Sequence, residues 1–226
     1  MIKKLLVAGI VLLTVSAVGL YLVFTNLPKL VKVEIEQQGS KALGVSVRVA
    51  SARLSEQPTD SILTLTQLTI ANPPGFSEAM AITIAELSIR YDTKGSDAKK
   101  ITVREILAAG VTVAYEGRSR DSNLEILQRN AVAESRARAG KRAAETPKLF
   151  LDVFSTEQGR LTVAHEVLAG PPLVTAMPAV GTGGIGRREN GAIAPEFAQR
   201  LIGVLATEAI RVGIAEVQKT LNQRAR

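Results

Sequence analysis

The sequence predicts a mainly antiparallel α+β protein: one N-terminal transmembrane helix, a curved antiparallel sheet forming a β-groove, and a C-terminal amphipathic helix. Three observations predict it. Leu5 to Phe24 is an unbroken run without a charge, apolar residues alternate at period two from Val45 to Val163, and helical spacing returns from Pro195 to Leu221. Strands with one buried face repeat every second residue, whereas helices repeat every 3.6.

Composition bounds the chemistry. With 226 residues and 46% hydrophobic content the chain can build a packed core, so wholesale disorder is excluded. The absence of cysteine removes disulfide scaffolds, thiolate zinc sites, cysteine nucleophiles and cysteine-linked lipid anchors. One histidine, five phenylalanines, three tyrosines and no tryptophan leave little for metal binding or base stacking. No cofactor and no metal site are expected, and no enzyme is predicted.

As a helix, Leu5 to Phe24 would measure about 30 Å, the thickness of a bilayer's hydrocarbon core. A cleavable signal would be shorter, about 7 to 15 apolar residues. Ser16-Ala17-Val18-Gly19 resembles a cleavage site, but Leu20 to Phe24 continues the apolar run past it, so residues 1–27 are expected to be a retained anchor. Lys3 and Lys4 precede the run and Lys29, Lys32 and Lys41 follow it, so lysine bias does not orient it. A four-residue head before a large domain fits a signal anchor with its C-terminal side exported.

Asn26 and Pro28 suit a helix start, and Gly44 a stop. The same stretch alternates Val31, Val33 and Ile35 with Lys32, Glu34 and Glu36, so a strand competes with a helix there.

Residues 28–180 are expected to form the β-groove domain as a meander of about seven to nine strands. A parallel sheet is disfavoured for want of long helical crossovers. Val45, Val47 and Val49, Leu63 and Leu65, Ile82 and Ile84, Val111 and Val113, and Leu161 and Val163 form its inward face. Phase shifts at Leu65 to Leu68 and Ile84 to Leu87 predict bulges that bend long strands. The Ser/Thr positions form the solvated outer face. Turn residues are expected to separate the runs at Asn72-Pro73-Pro74-Gly75, Lys94-Gly95-Ser96-Asp97, Ala109-Gly110 and Gln158-Gly159.

An insertion at about 117–148 interrupts the pattern. Ser122 and Glu125 have capping-box spacing, and Leu124, Leu127 and Ala131 form a thin apolar stripe. From Arg129 to Lys148 six basic residues (Arg129, Arg136, Arg138, Lys141, Arg142, Lys148) face two acids (Glu134, Glu145), which places +4 of the total +7 here. A solvated loop and a contact with anionic lipid headgroups both fit this tract, with Arg136, Arg138, Lys141 and Arg142 as headgroup candidates. Nucleic acid is not an expected partner, because aromatics are nearly absent around the tract.

Residues 181–194 read as a glycine-rich linker and 195–226 as the terminal helix. Gly181, Gly183 and Gly186 match a G-x-G-x-x-G spacing, but no helix begins at Gly186 and no strand-helix alternation surrounds it. His165 lies in phase with Leu161 and Val163, without a second ligand in its surroundings. Ile202, Ala206, Ala209, Gly213, Val217 and Leu221 mark the apolar face of the last helix, and its small residues allow close approach to a sheet.

Eight strands at about 4.8 Å spacing and six residues each present on the order of 750 Å² of apolar face, and a terminal helix covers roughly 400 Å². The remainder calls for sheet curling, a partner or lipid chains.

Asn72-Pro73-Pro74-Gly75-Phe76, preceded by Leu63-Thr64-Leu65 and Leu68-Thr69-Ile70, resembles the AsmA-like proteins of the Gram-negative envelope. Gly44-Val45-Ser46-Val47, Ile82 to Tyr91, Val111-Thr112-Val113-Ala114-Tyr115-Glu116 and Ser122-Asn123-Leu124 extend the resemblance over roughly Leu5 to Leu127. It implies a single-pass inner-membrane anchor, a periplasmic bulk, and kinship with bridge-like lipid-transfer proteins whose β-groove carries acyl chains. No catalytic residue comes with it. The chain departs from the pattern in being short and in its basic tract and glycine-rich stretch. The expected function is lipid binding in envelope lipid transport or outer-membrane assembly. The rival expectation is a non-enzymatic interaction protein that docks an envelope partner without lipid cargo.

Overall fold

In the computed structural model the described residues are 28–57, 59–97, 99–139, 148–168, 170–187 and 191–225. The expected anchor, residues 1–27, lies outside them. Among the described residues no helix is long and apolar enough to cross a membrane.

A helix, α1, covers residues 28–43 and resolves the helix-or-strand alternative of that stretch in favour of helix. The remaining order is β1 (Val47–Glu56), β2 (Asp60–Ala71), β3 (Met80–Asp92), β4 (Lys100–Gly117), α2 (Asn123–Ala139), β5 (Lys148–Thr156), β6 (Gly159–His165), β7 (Leu173–Met177), β8 (Gly181–Ile185) and α3 (Ala194–Arg224). The fold is α+β, with an open, mixed, mostly antiparallel sheet and a long C-terminal helix.

The eight strands run in the order β1-β2-β3-β4-β5-β8, with β6 and β7 continuing from the upper part of β4. The expected all-antiparallel meander holds only from β1 to β4. Lys100–Ala108 of β4 pairs in parallel with Lys148–Thr156, and Thr112–Gly117 pairs in parallel with Arg160–His165. The 17-residue helix α2, with the segment that follows it, is the crossover that a parallel pair requires. Its short stripe of Leu124, Leu127 and Ala131 conceals that role in the sequence, although all three are buried. The capping box is present: the Ser122 amide and hydroxyl donate to the Glu125 carboxylate at 2.6 and 2.9 Å.

Gly181–Ile185, expected within a flexible linker, is strand β8, which pairs antiparallel with Leu151–Ser155. A Cβ at Gly183 would lie 2.6 Å from the Asp152 carbonyl, so close backbone approach accounts for that glycine.

The phase shifts have a common origin. The apolar side passes from Val49 to Ala52 in β1, from Leu68 to Leu65 in β2, from Ile84 to Leu87 in β3 and from Val111 to Ala108 in β4. The residues between lie in one row across the sheet: Ala50, Gln67, Ala85 and Gly110 are absent from the ladder, while pairing register is the same on both sides. A lone bulge adds a residue to one strand, but here every strand slips in step. Gln67 and Gly110 take left-handed backbone at φ 50° and 61°. Glycine does this without steric cost, glutamine at some expense. Single bulges also occur, at Ile70/Ala71 and Arg90/Tyr91.

Edge strand β1 is closed by α1. The Val47 amide donates to Ser40 Oγ at 2.8 Å, the Val49 amide donates to Glu36 Oε1 at 2.8 Å, and Lys32 Nζ donates to the Ala50 carbonyl at 3.2 Å. Four residues of helix advance about 6 Å and two residues of strand about 6.6 Å. One helical turn therefore meets each successive outward backbone group from Val47 to Ala50, and over that stretch the edge is not offered to another strand.

Candidate functional site: the apolar face and its polar lock

The row divides the apolar face into two halves. In the upper half the face is covered by helices. Helix α3 packs on β4, β5, β6, β7 and β8, and α2 packs on α3 and β4. Asn130 of α2 donates to the Leu43 carbonyl at 2.8 Å, which joins α2 to α1. Gly213 allows α3 its approach, since a Cβ there would meet the Tyr115 ring at 2.5 Å.

This covering decides where the predicted face residues lie. Val47, Val49, Leu65, Ile82, Val111, Val113, Leu161 and Val163 are buried within the main hydrophobic cluster, and Val45, Leu63 and Ile84 are partly buried at its margin. Most of them are core beneath helices. Below the row Leu65, Val103, Ile106 and Ala108 are buried as well, and partly exposed apolar surface remains beside them at Ala52, Leu54, Leu63, Leu87, Ile89 and Ile101. The predicted α3 face is buried at Ala206, Ala209 and Val217, but Leu221 is 40% exposed.

At the upper end of the sheet the stretches Asn72–Phe76, Glu116 and Ser122–Leu124 converge. Glu116 is 7% exposed, yet its carboxylate has four donors. Oε1 accepts from Asn72 Nδ2 at 3.0 Å and the Glu78 amide at 2.9 Å. Oε2 accepts from the Ser77 amide at 2.8 Å and its hydroxyl at 2.6 Å. Asn123 closes the ring, accepting from the Glu116 amide at 2.9 Å and donating to Asn72 Oδ1 and the Ala114 carbonyl at 2.7 Å each. Arg118 stacks 4.0 Å over the Phe76 ring centroid and donates to the Gly75 carbonyl.

Burial acts to raise the Glu116 pKa. The Ser77 hydroxyl, the Glu78 and Ser77 amides and the Arg118 charge outweigh it and hold the carboxyl below the ordinary glutamate value. Sequence reading brought these stretches together only as parts of a resemblance. The hydrogen bonds that join the β2–β3 turn to Glu116 and Asn123 span 38 to 51 residues, so no local spacing reveals the lock.

Of the headgroup candidates, Arg136 is exposed on α2 and Arg138 falls in its last turn, while Lys141 and Arg142 lie outside the described residues. Arg136 lines an open depression of about 550 Å³ with Arg120, Glu125, Gln128, Arg129, Val132 and Ala133. Arg120 and Arg129 enter this constellation through the fold. His165 ends β6 and its Nδ1 accepts from the Val167 amide at 3.2 Å, an ordinary strand-end contact.

Comparison with known proteins finds no matching family model, no matching curated protein and no matching solved structure.

Proposed function

We propose that this chain is a membrane-anchored, AsmA-like envelope protein whose apolar sheet face forms a β-groove for lipid acyl chains. In this reading residues 1–27 hold it in the inner membrane, the bulk lies in the periplasm, and it assists envelope lipid transport or outer-membrane assembly. The supporting observation is the apolar surface that stays partly exposed below the row, at Ala52, Leu54, Leu63, Leu87, Ile89 and Ile101, while helices α2 and α3 pack over the upper half. That surface spans about 14 Å across four strands and about 20 Å along them. Each methylene transferred there from water contributes about 0.8 kcal/mol, so an acyl chain is a favourable ligand for a surface with few polar groups.

The test is native mass spectrometry of full-length protein extracted in a mild detergent. Phospholipid or lipopolysaccharide bound at near-stoichiometric occupancy is expected. Stoichiometrically lipid-free protein overturns the reading and favours the docking of an envelope partner.

A further inference from the structure

We infer that the arginine face of α2 docks onto an anionic phospholipid surface, the same membrane in which the chain is anchored. The inference rests on the anchor reading proposed above and adds to it a second point of attachment.

The first support is charge. Arg120, Arg129 and Arg136 line one open depression whose apolar floor is Val132 and Ala133. Its one carboxylate, Glu125, is engaged by the Ser122 amide and hydroxyl in the capping box. Arg129 pairs with Asp121 at 2.8 Å but its side chain remains 61% exposed. Arg120 and Arg136 have no ion pair among the described residues. Glu134, the other acid of α2, faces Lys41 of α1 at 3.8 Å.

The second support is placement. Leu124, Leu127, Ala131 and Ser135 are the buried face of α2, so Arg129, Ala133 and Arg136 point away from the sheet. The partly exposed Ala52, Leu63, Leu87, Ile89 and Ile101 pack against the same cluster as Leu124, Leu127 and Ala131 of α2, so they lie on the side of the sheet that carries the helices. Helices α1 and α2 also run antiparallel: Leu43 meets Asn130, while Lys41, one step back along α1, meets Glu134, one turn on along α2. The first described residues of α1 therefore lie at the same end as Arg136.

The third support is apolar. Leu30 and Val33 in the first turns of α1 are 59% and 46% exposed beside Lys29 and Lys32. Exposed aliphatic residues among lysines suit the zone between headgroups and acyl chains. Phosphate is the anion such a bilayer surface offers, and a bilayer lying over α2 would also face the open half of the sheet.

The chain has no cysteine, so Ala133→Cys places a single nitroxide label within the arginine depression. Full-length labelled protein is inserted in nanodiscs of phosphatidylcholine alone, or of phosphatidylcholine and phosphatidylglycerol in equal parts. Its accessibility to a water-soluble nickel complex is read by electron paramagnetic resonance. In phosphatidylglycerol discs accessibility is expected to fall, and to recover at high salt and in the variant carrying Arg120→Gln, Arg129→Gln and Arg136→Gln. Each basic residue at an anionic surface contributes on the order of fivefold, so the triple variant should shift the docked-to-free ratio about a hundredfold.

Equal nickel accessibility in the two discs overturns the docking and leaves the anchor standing. Protein that fails to enter discs at all overturns both. A salt-insensitive loss of accessibility in both discs, or protection that appears only when an acidic protein is added, assigns the face to another occupant. Circular dichroism of the triple variant verifies that α2 is intact, as these exposed side chains support no core contact.

Discussion

At the residue scale, the lock around Glu116 has the sharpest consequences. A carboxylate with four donors is stabilised in its charged form, and removing the charge leaves donors facing a donor. Glu116→Gln should lower stability by about 2 kcal/mol near neutral pH, measured by chemical denaturation followed with circular dichroism. The sign with pH follows from the depressed pKa. The unfolded chain binds a proton more readily, so the contribution of Glu116 is complete above the ordinary glutamate value and is lost as pH falls through the lower folded value. The deficit of Glu116→Gln should therefore shrink on acidification below that range. A deficit constant between neutral and acidic pH would show that shape, not charge, makes the lock. Glu116 was visible in the sequence only inside a recognisable stretch. Its role was not visible, because Asn72, Ser77 and Glu78 reach it through the β2–β3 turn, far away along the chain.

At the element scale, the sequence was most legible where periodicity is strong and least where pairing is non-local. The period-two runs mark β1, β2, β3, β5 and β6, and Ser122 with Glu125 marks the start of α2. The turn expected at Ala109-Gly110 is instead the interior of β4, which runs unbroken from Lys100 to Gly117 with Gly110 in left-handed backbone. The parallel pairing of β4 with β5 and β6 was not legible. Two strands of the same period pair either way, and only the route of α2 across the sheet chooses. Strand β8 was hidden because Gly181-Thr182-Gly183-Gly184-Ile185 has the composition of a loop; its pairing with β5 supplies what its side chains do not. Helix α3 was legible down to the reason for Gly213. Gly213→Ala gains about 1 kcal/mol of helix propensity, but its Cβ would lie 2.5 Å from the Tyr115 ring, and such overpacking costs about 1 to 3 kcal/mol. The variant should melt lower than the parent. Gly203→Ala, in the same helix with open space around it, should melt higher by about 0.5 to 1 kcal/mol. Thermal unfolding of the pair checks this, and equal shifts would refute close packing at Gly213.

At the scale of the whole molecule, partly exposed apolar residues lie below the row through Ala50, Gln67, Ala85 and Gly110, and they should respond to charge differently from the buried cluster. Val113→Asp buries an unpaired carboxylate in the main cluster and should cost on the order of 3 to 5 kcal/mol. Leu63→Asp, below the row and partly exposed, should stay folded while losing lipid in native mass spectrometry. A folded Leu63→Asp protein that keeps its lipid would remove the lower half from the groove. By itself the sequence determined what depends on near neighbours: the long uncharged run, the strands with clear alternation, the capping box of α2, the phase slips within single strands and the amphipathic face of α3. Local sterics, capping and apolar periodicity act over a few residues, so they are written in adjacent letters. Tertiary structure alone decided that the slips align in one row, that α2 makes the sheet mixed, that helices α2 and α3 pack over the upper half of the apolar face, and that Arg120, Arg129 and Arg136 share a depression. Those outcomes depend on which apolar surfaces find one another across long stretches of chain, and many arrangements bury similar area until the packing selects one.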